Sequence, residues 1–270
     1  MKRLLALVAV LSLPLALPAS AAEDEPYPEY TGPEFVALYD YAVENLLPGL
    51  EYQDTRYSIT GDEALDARIW EVAFSRGYVL RPLASRKMAT ARGVPMQPPV
   101  APAWLGLEAE ARAAGMRFIV SSAYRSPAAQ RAQFLSKLEG TSDAAINAAL
   151  NWWSIPGTSK HHGGYALDFR YADGTFAEFS HTPDYAWLAA SNFAIPKRYG
   201  LIPSYPDGVG SQGPRPEPWE FVWVGTDLIR CGLPQDLGLS VDGPVAALVA
   251  EIERCPGGAG PAAVPEWLMG

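Results

Sequence analysis

Two histidines and an aspartate are the first residues here whose types and spacing could do chemistry. His161 and His162 follow Ser159-Lys160, and Asp168 lies a short way downstream. Neutral imidazole and carboxylate are good donors to a divalent ion such as zinc. Gly163-Gly164 come next, so the histidines belong to a turn and not to mid-helix. Tyr165 to Tyr171 then alternate as a strand does. Tyr165, Leu167, Phe169 and Tyr171 share one face; Ala166, Asp168 and Arg170 share the other. An acid in a run suited to a half-buried surface needs a cation, a base or a metal beside it. The glycine turn lets His161 fold back toward Asp168, and Ala166 leaves room for an ion. An exposed histidine pair with an Asp168–Arg170 ion pair is the plainer use of the same residues.

Ser159, His161, Gly164, Ala166 and Asp168 also reproduce an S-x-H-x-x-G-x-A-x-D pattern. The stretch resembles the VanY-type D-alanyl-D-alanine carboxypeptidases, zinc peptidases of the group that includes lysostaphin-like enzymes. Upstream, Ser122-Ala123-Tyr124-Arg125-Ser126 with Gln130 following resembles that family's Y-R-S element. The resemblance implies zinc, or another divalent ion, on His161 and Asp168, with Arg125, Gln130 and Ser159 turned to substrate. An arginine at a strand end can offer its fork to a carboxylate or to an oxyanion forming in the reaction. Local pairing at a helix start is the alternative use of Arg125.

The family's second signature is E-x-x-H, with glutamate as general base and histidine as the last zinc ligand. Here the residues are Glu217-Pro218-Trp219-Glu220. The resemblance implies Glu217 as base and puts Glu220 where a ligand histidine is expected. Carboxylates ligate zinc too, and the reach of the two side chains is similar. The charge differs: a zinc centre of His161, Asp168 and Glu220 is formally neutral, where one of two histidines and an aspartate is positive. Such a centre polarises less and suits harder ions better. Glu220 opens an apolar strand, where an unpaired carboxylate is costly, so it needs either a metal or an arginine.

Strands and helices must position these groups. Strand patterns cover Arg117–Tyr124, Tyr165–Tyr171 and Trp219–Gly225, the last apolar on both faces and so central. Tyr78–Leu80 reads as a short strand, Tyr199–Pro206 as a turn and strand, and the proline-rich stretch from Ala91 to Pro102 as a loop. Helical spacing covers Glu34–Leu47, Asp62–Arg76, Trp104–Ala114, Ala128–Leu138, Ala144–Trp153 and Tyr185–Phe193. Ser126 and Thr182 are natural caps, each followed by proline at the first helical position. His181, the third histidine, is read as structural.

The chain has 270 residues and a net charge of −9, which argues against nucleic acid or anionic lipid as partner. Lys2-Arg3, the apolar run from Leu4 to Leu17 and Ala19-Ser20-Ala21 read as a secretory signal, too short to span a membrane. Export to the periplasm or cell exterior is the expectation, and it makes a Cys231–Cys255 disulfide the simplest use of the two cysteines.

The expected fold is α+β: a small, mainly antiparallel sheet bearing the site, helices around it, and helical extensions at both ends. The expected layout is a signal peptide over 1–22, an arm and helix over 23–60, a VanY-like peptidase domain over 61–226 and a helical tail over 227–270. The expected function is hydrolysis of peptidoglycan stem peptides; a wall-binding module of the same fold with weak or lost catalysis is the alternative.

Overall fold

The computed structural model describes residues 27–54 and 56–233. The predicted leader, most of the predicted helical tail and Cys255 fall outside them. Cys231 is disulfide-bonded.

The fold is α+β. Its helices are α1 (Gly32–Asn45), α2 (Glu63–Ser75), α3 (Val100–Ala113), α4 (Pro127–Leu135), α5 (Asp143–Leu150), α6 (Phe176–Phe179), α7 (Pro183–Arg198) and α8 (Thr226–Cys231). Short polar side chains start several of them. Asp62 accepts from the Leu65 N–H at 3.0 Å, Ser126 from Ala129 at 3.2 Å and Thr182 from Tyr185 at 3.2 Å. Pro127 and Pro183 follow their caps with φ already suited to a helix.

Two short pairs, β1 (Leu50–Glu51) with β2 (Leu83–Ala84) and β3 (Ala89–Ala91) with β4 (Val94–Met96), flank the main sheet. That sheet comprises β5 (Ile119–Ser122), β6 (Ala166–Arg170), β7 (Leu201–Tyr205) and β8 (Glu217–Trp223), in the order β5-β6-β8-β7, antiparallel throughout. One face packs Phe169 against Phe118 and Phe221, both at ring-centre distances of 5.1 Å, and against Trp104 at 5.5 Å. α1 lies along β7. A second core joins α2, α4 and α5 through Ile69, Trp70, Phe134, Ile146 and Leu150.

Several local expectations need correction. Among the described residues Tyr78–Leu80 pairs with no strand; Tyr78 is buried and its hydroxyl donates to the Leu150 carbonyl at 2.6 Å, so a side-chain anchor replaces the ladder. The expected loop from Ala91 to Pro102 contains β4 and the start of α3. Arg92 and Gly93 both have positive φ, 52° and 82°, which closes β3 and β4 as a tight hairpin. α3 begins at Val100, because prolines at a helix start forfeit no internal hydrogen bond. α7 extends to Arg198 but leaves helical geometry over Ala190–Phe193, where the Asn192 side chain pairs with both backbone groups of Tyr30, each at 2.9 Å.

Candidate metal centre

The register of the main sheet builds the site. Asp168 on β6 is directly opposite Glu220 on β8 and, on its other side, opposite Ser122 on β5. Like charges facing each other across a ladder repel, so this pairing requires positive charge nearby. His161 supplies the next side chain. It sits in the 3₁₀ turn Lys160–Gly163, which Ser159 caps by accepting the His161 N–H at 3.3 Å. Gly164 ends that turn at φ 77°, and a side chain there would crowd Met88 at 3.0 Å. The turn delivers the imidazole to the carboxylates: His161 Nε2 is 3.2 Å from Asp168 Oδ2 and 3.3 Å from Glu220 Oε2. One donor atom from each of the three residues lies within 4.8 Å of the other two, and all three residues are buried.

The roles of the remaining polar atoms follow. His161 Nδ1 sits on the Ala123 carbonyl and carries a proton there, which makes Nε2 the nitrogen that faces the carboxylates. Glu220 Oε1 accepts from the Ser204 hydroxyl at 2.6 Å, which leaves Oε2 for the cluster. Among the described residues Glu220 does not pair with an arginine; its neighbours are Ser204 and His161. Asp168 Oδ1 is buried and has no hydrogen-bond partner. Burial alone disfavours charge on His161, but Asp168 and Glu220 outweigh it and push the ring up to about 9. Burial likewise opposes charge on Glu220, but His161, Ser204 and Lys160 hold it below the usual carboxylate range.

These residues fit a divalent ion. Ligands at about 2.1 Å in tetrahedral array stand about 3.4 Å apart, close to the separations measured here. The set is one imidazole and two carboxylates, and an orphaned buried oxygen on Asp168 is an atom short of a partner.

Glu217 opens β8 and lines the same cleft as Glu220. Strict alternation would put residues three apart on opposite faces. The ladder shifts here: Pro203 pairs with Phe221 and Tyr205 with Glu217, so two steps on β7 answer four on β8. This bulge turns Glu217 back toward the cleft, and it is where Pro218 can sit without breaking a ladder bond. Burial, then the Glu220 and Asp168 carboxylates, raise Glu217 well above the usual carboxylate range.

Arg125 lines the cleft beyond the end of β5. Its guanidinium donates to Gln130 Oε1, Ser122 Oγ and Asp168 Oδ2, at 3.0, 3.0 and 3.1 Å. Gln130 is fully buried, and its other end donates to the Ser154 carbonyl at 2.6 Å. Its amide is therefore committed to orienting Arg125. Ser159 lines the cleft as well as capping the turn. His162 is structural. It takes the Gly157 N–H on Nε2 at 2.9 Å and gives Nδ1–H to the Arg125 carbonyl at 2.7 Å; burial pushes it down to about 4. His181 is exposed and outside the cleft.

Sequence reasoning missed Ser204 and the setting of Lys160. Lys160 is buried, with Nζ on the Ser204 carbonyl at 2.6 Å and over the rings of Tyr205 and Tyr39, at 4.1 and 4.5 Å. Nothing in the order of residues marks a lysine between two motif positions as buried. The cleft, about 330 Å³, is completed by Gln133, Lys137, Trp152, Trp153, Phe176 and Trp219.

Residues 94–226 match the family model described as VanY, D-alanyl-D-alanine carboxypeptidase. A D-alanyl-D-alanine carboxypeptidase of Enterococcus faecalis (strain ATCC 700802 / V583) is 34% identical over 124 residues, which cover 43% of this chain and 44% of that protein. The chain thus spans under half the length of that relative. Among solved structures, a vancomycin-resistance D,D-pentapeptidase VanY with Zn(II) is 27% identical, with a TM-score of 0.46 over 57% of this chain and 91% of that one. VanYB in complex with D-alanine-D-alanine is also 27% identical, with a TM-score of 0.46 over 57% and 89%. The His161–Asp168 pattern and the glutamate at the head of β8 lie inside the matched stretch, so the candidate site falls in the part of this chain that is similar to the VanY-type D-alanyl-D-alanine carboxypeptidase family.

Proposed function

We propose that this protein is an exported, metal-dependent D,D-carboxypeptidase-like enzyme that hydrolyses peptidoglycan stem peptides. The observation that carries the reading is the convergence of His161 Nε2, Asp168 Oδ2 and Glu220 Oε2, with Glu217 on the same cleft. His161, Asp168 and Glu220 would hold zinc or a related divalent ion. Bound there, the ion would supply Lewis acidity toward the scissile carbonyl and toward water.

The chain's own groups do the rest. Glu217 takes a proton from the attacking water and returns it to the leaving amine, as a carboxylate with a raised pKa is suited to do. Burial and the neighbouring carboxylates raise it, and a cation held in the cluster would oppose that rise. Arg125 is held at the cleft by Gln130 and Ser122 and turns its fork to the substrate carboxylate or to the developing oxyanion. Export rests on the N-terminal signal pattern; among the described residues no helix is long and apolar enough to cross a membrane.

The test is the metal content of purified protein, followed by digestion of muropeptides with and without chelator. Expected are about one equivalent of a divalent ion and loss of a terminal D-alanine that stops with chelator and returns with zinc. Metal-free protein that cleaves nothing after zinc is added would overturn the reading.

A further inference from the structure

The cleft has a second end that the chemistry above does not use. Phe176, Trp219 and Trp152 form a continuous stack: Phe176 to Trp219 at 5.6 Å and 27°, Trp219 to Trp152 at 6.2 Å and 29°. Arg215 continues it, its guanidinium 5.6 Å from the Trp152 ring centre. Beside it Lys137 Nζ stands 5.6 Å from the ring of Trp153. Lys137, Trp152, Trp153 and Trp219 surround the same cleft as the metal cluster, and Trp219 adjoins Glu220 in sequence. Trp152 is 44% exposed, high for so large a ring.

The charges are the informative part. The chain is acidic, with 30 Asp and Glu against 21 Lys and Arg. Yet among the described residues no carboxylate forms a salt bridge with Lys137 or Arg215. Both are exposed and each is propped on a tryptophan. A guanidinium held over a ring by cation–π attraction still has donors to offer a carboxylate. Two cations over tryptophans that line the cleft, without a carboxylate salt bridge among the described residues of an acidic protein, are complementary to an anion.

We propose that Lys137 and Arg215, carried on Trp153 and Trp152, form a second subsite that binds a carboxylate of the substrate peptide on the N-terminal side of the scissile bond. This rests on the carboxypeptidase reading. Such an enzyme has one short residue beyond the bond, so an extended second subsite serves the acyl side. The ligand class is an acidic peptide whose side-chain or α-carboxylate lies free along the chain, its aliphatic part against the tryptophan edges.

Binding is measured in the metal-loaded Glu217→Gln variant, so that affinity is read without turnover. The probes are two peptides ending in D-Ala-D-Ala that differ in one acyl-side position, glutamate in one and glutamine in the other. The acidic peptide should bind at least tenfold more tightly at low salt, and Lys137→Met with Arg215→Gln should remove that preference while leaving the glutamine peptide unchanged. Equal binding of the two peptides, a preference that survives the double substitution, or no binding of either overturns the subsite. Cleavage by the protein with Glu217 intact is scored separately on the glutamine peptide, so a failed subsite and a failed peptidase reading give different results.

Discussion

Asp66 and Asp168 are both buried carboxylates, and they are used in opposite ways. Asp66, near the start of α2, has every acceptor site filled. Oδ2 takes Ser58 Oγ at 2.8 Å and the Ile59 N–H at 2.9 Å; Oδ1 takes the Thr60 N–H and hydroxyl, both at 2.6 Å. Although burial opposes its charge, those hydrogen bonds hold it down to about 2. It ties the loop before α2 to the helix. Asp168 shares one oxygen between Arg125 and His161 and leaves the other with nothing. A satisfied carboxylate holds a chain together, whereas an unsatisfied one facing a second carboxylate is costly unless something binds there. The comparison separates a carboxylate whose acceptors are all filled from one left open to a further partner, a distinction that burial alone does not make.

The largest effect expected on the functional side is at Glu217. Glu217→Gln should lower kcat/KM by about 10²–10⁴, the range for loss of a general acid–base group, with metal content unchanged. Metal analysis alongside steady-state kinetics reads both; loss of metal together with activity would make Glu217 a ligand instead of a base.

Next comes the ligand set. Glu220→Ala should weaken zinc binding more than about 100-fold, beyond the 10–100-fold typical of losing a group that only orients a ligand. Glu220→His should keep or raise affinity, because it restores the family's donor and a positive centre. Competition with a chromophoric chelator gives both values, and equal affinity in the Ala variant and the parent protein would take Glu220 out of the metal site.

The smallest effect is at Asp66. Asp66→Asn should cost on the order of 1–3 kcal/mol in denaturant unfolding while leaving metal affinity untouched. The pH dependence has a definite sign. The folded pKa is about 2 and the unfolded value about 3.9. The group's stabilisation is therefore complete above about pH 4 and drains away as pH falls toward 2, worth on the order of 2 kcal/mol. Asp66→Asn should flatten that acid limb. An unchanged limb would assign it to other carboxylates.

Much of this molecule is legible in the order of its residues, for physical reasons. Ser126-Pro127 and Thr182-Pro183 announce helix starts because a short polar cap and a fixed φ act locally. Alternation through Tyr165–Tyr171 announces a strand with Asp168 off the apolar face, because side-chain direction in a strand has a period of two. His161 and Asp168 could be linked as partners because a glycine turn stands between them. The hairpin at Arg92-Gly93 was masked by its prolines.

Tertiary structure alone decided the rest. Only the β6–β8 register puts Asp168 opposite Glu220, and pairing between strands fifty residues apart leaves no local trace. Only the bulge against β7 turns Glu217 to the same side as Glu220, since strict alternation separates them. Ser204 and Lys160 reach Glu220 and its strand from β7 and the histidine turn, and Tyr39 reaches Lys160 from α1. Residue types and short spacings specify which chemistry is available because they act within a turn or two. Which atoms meet depends on long-range pairing, and that is set by how the sheet and its covering helices bury their apolar faces together.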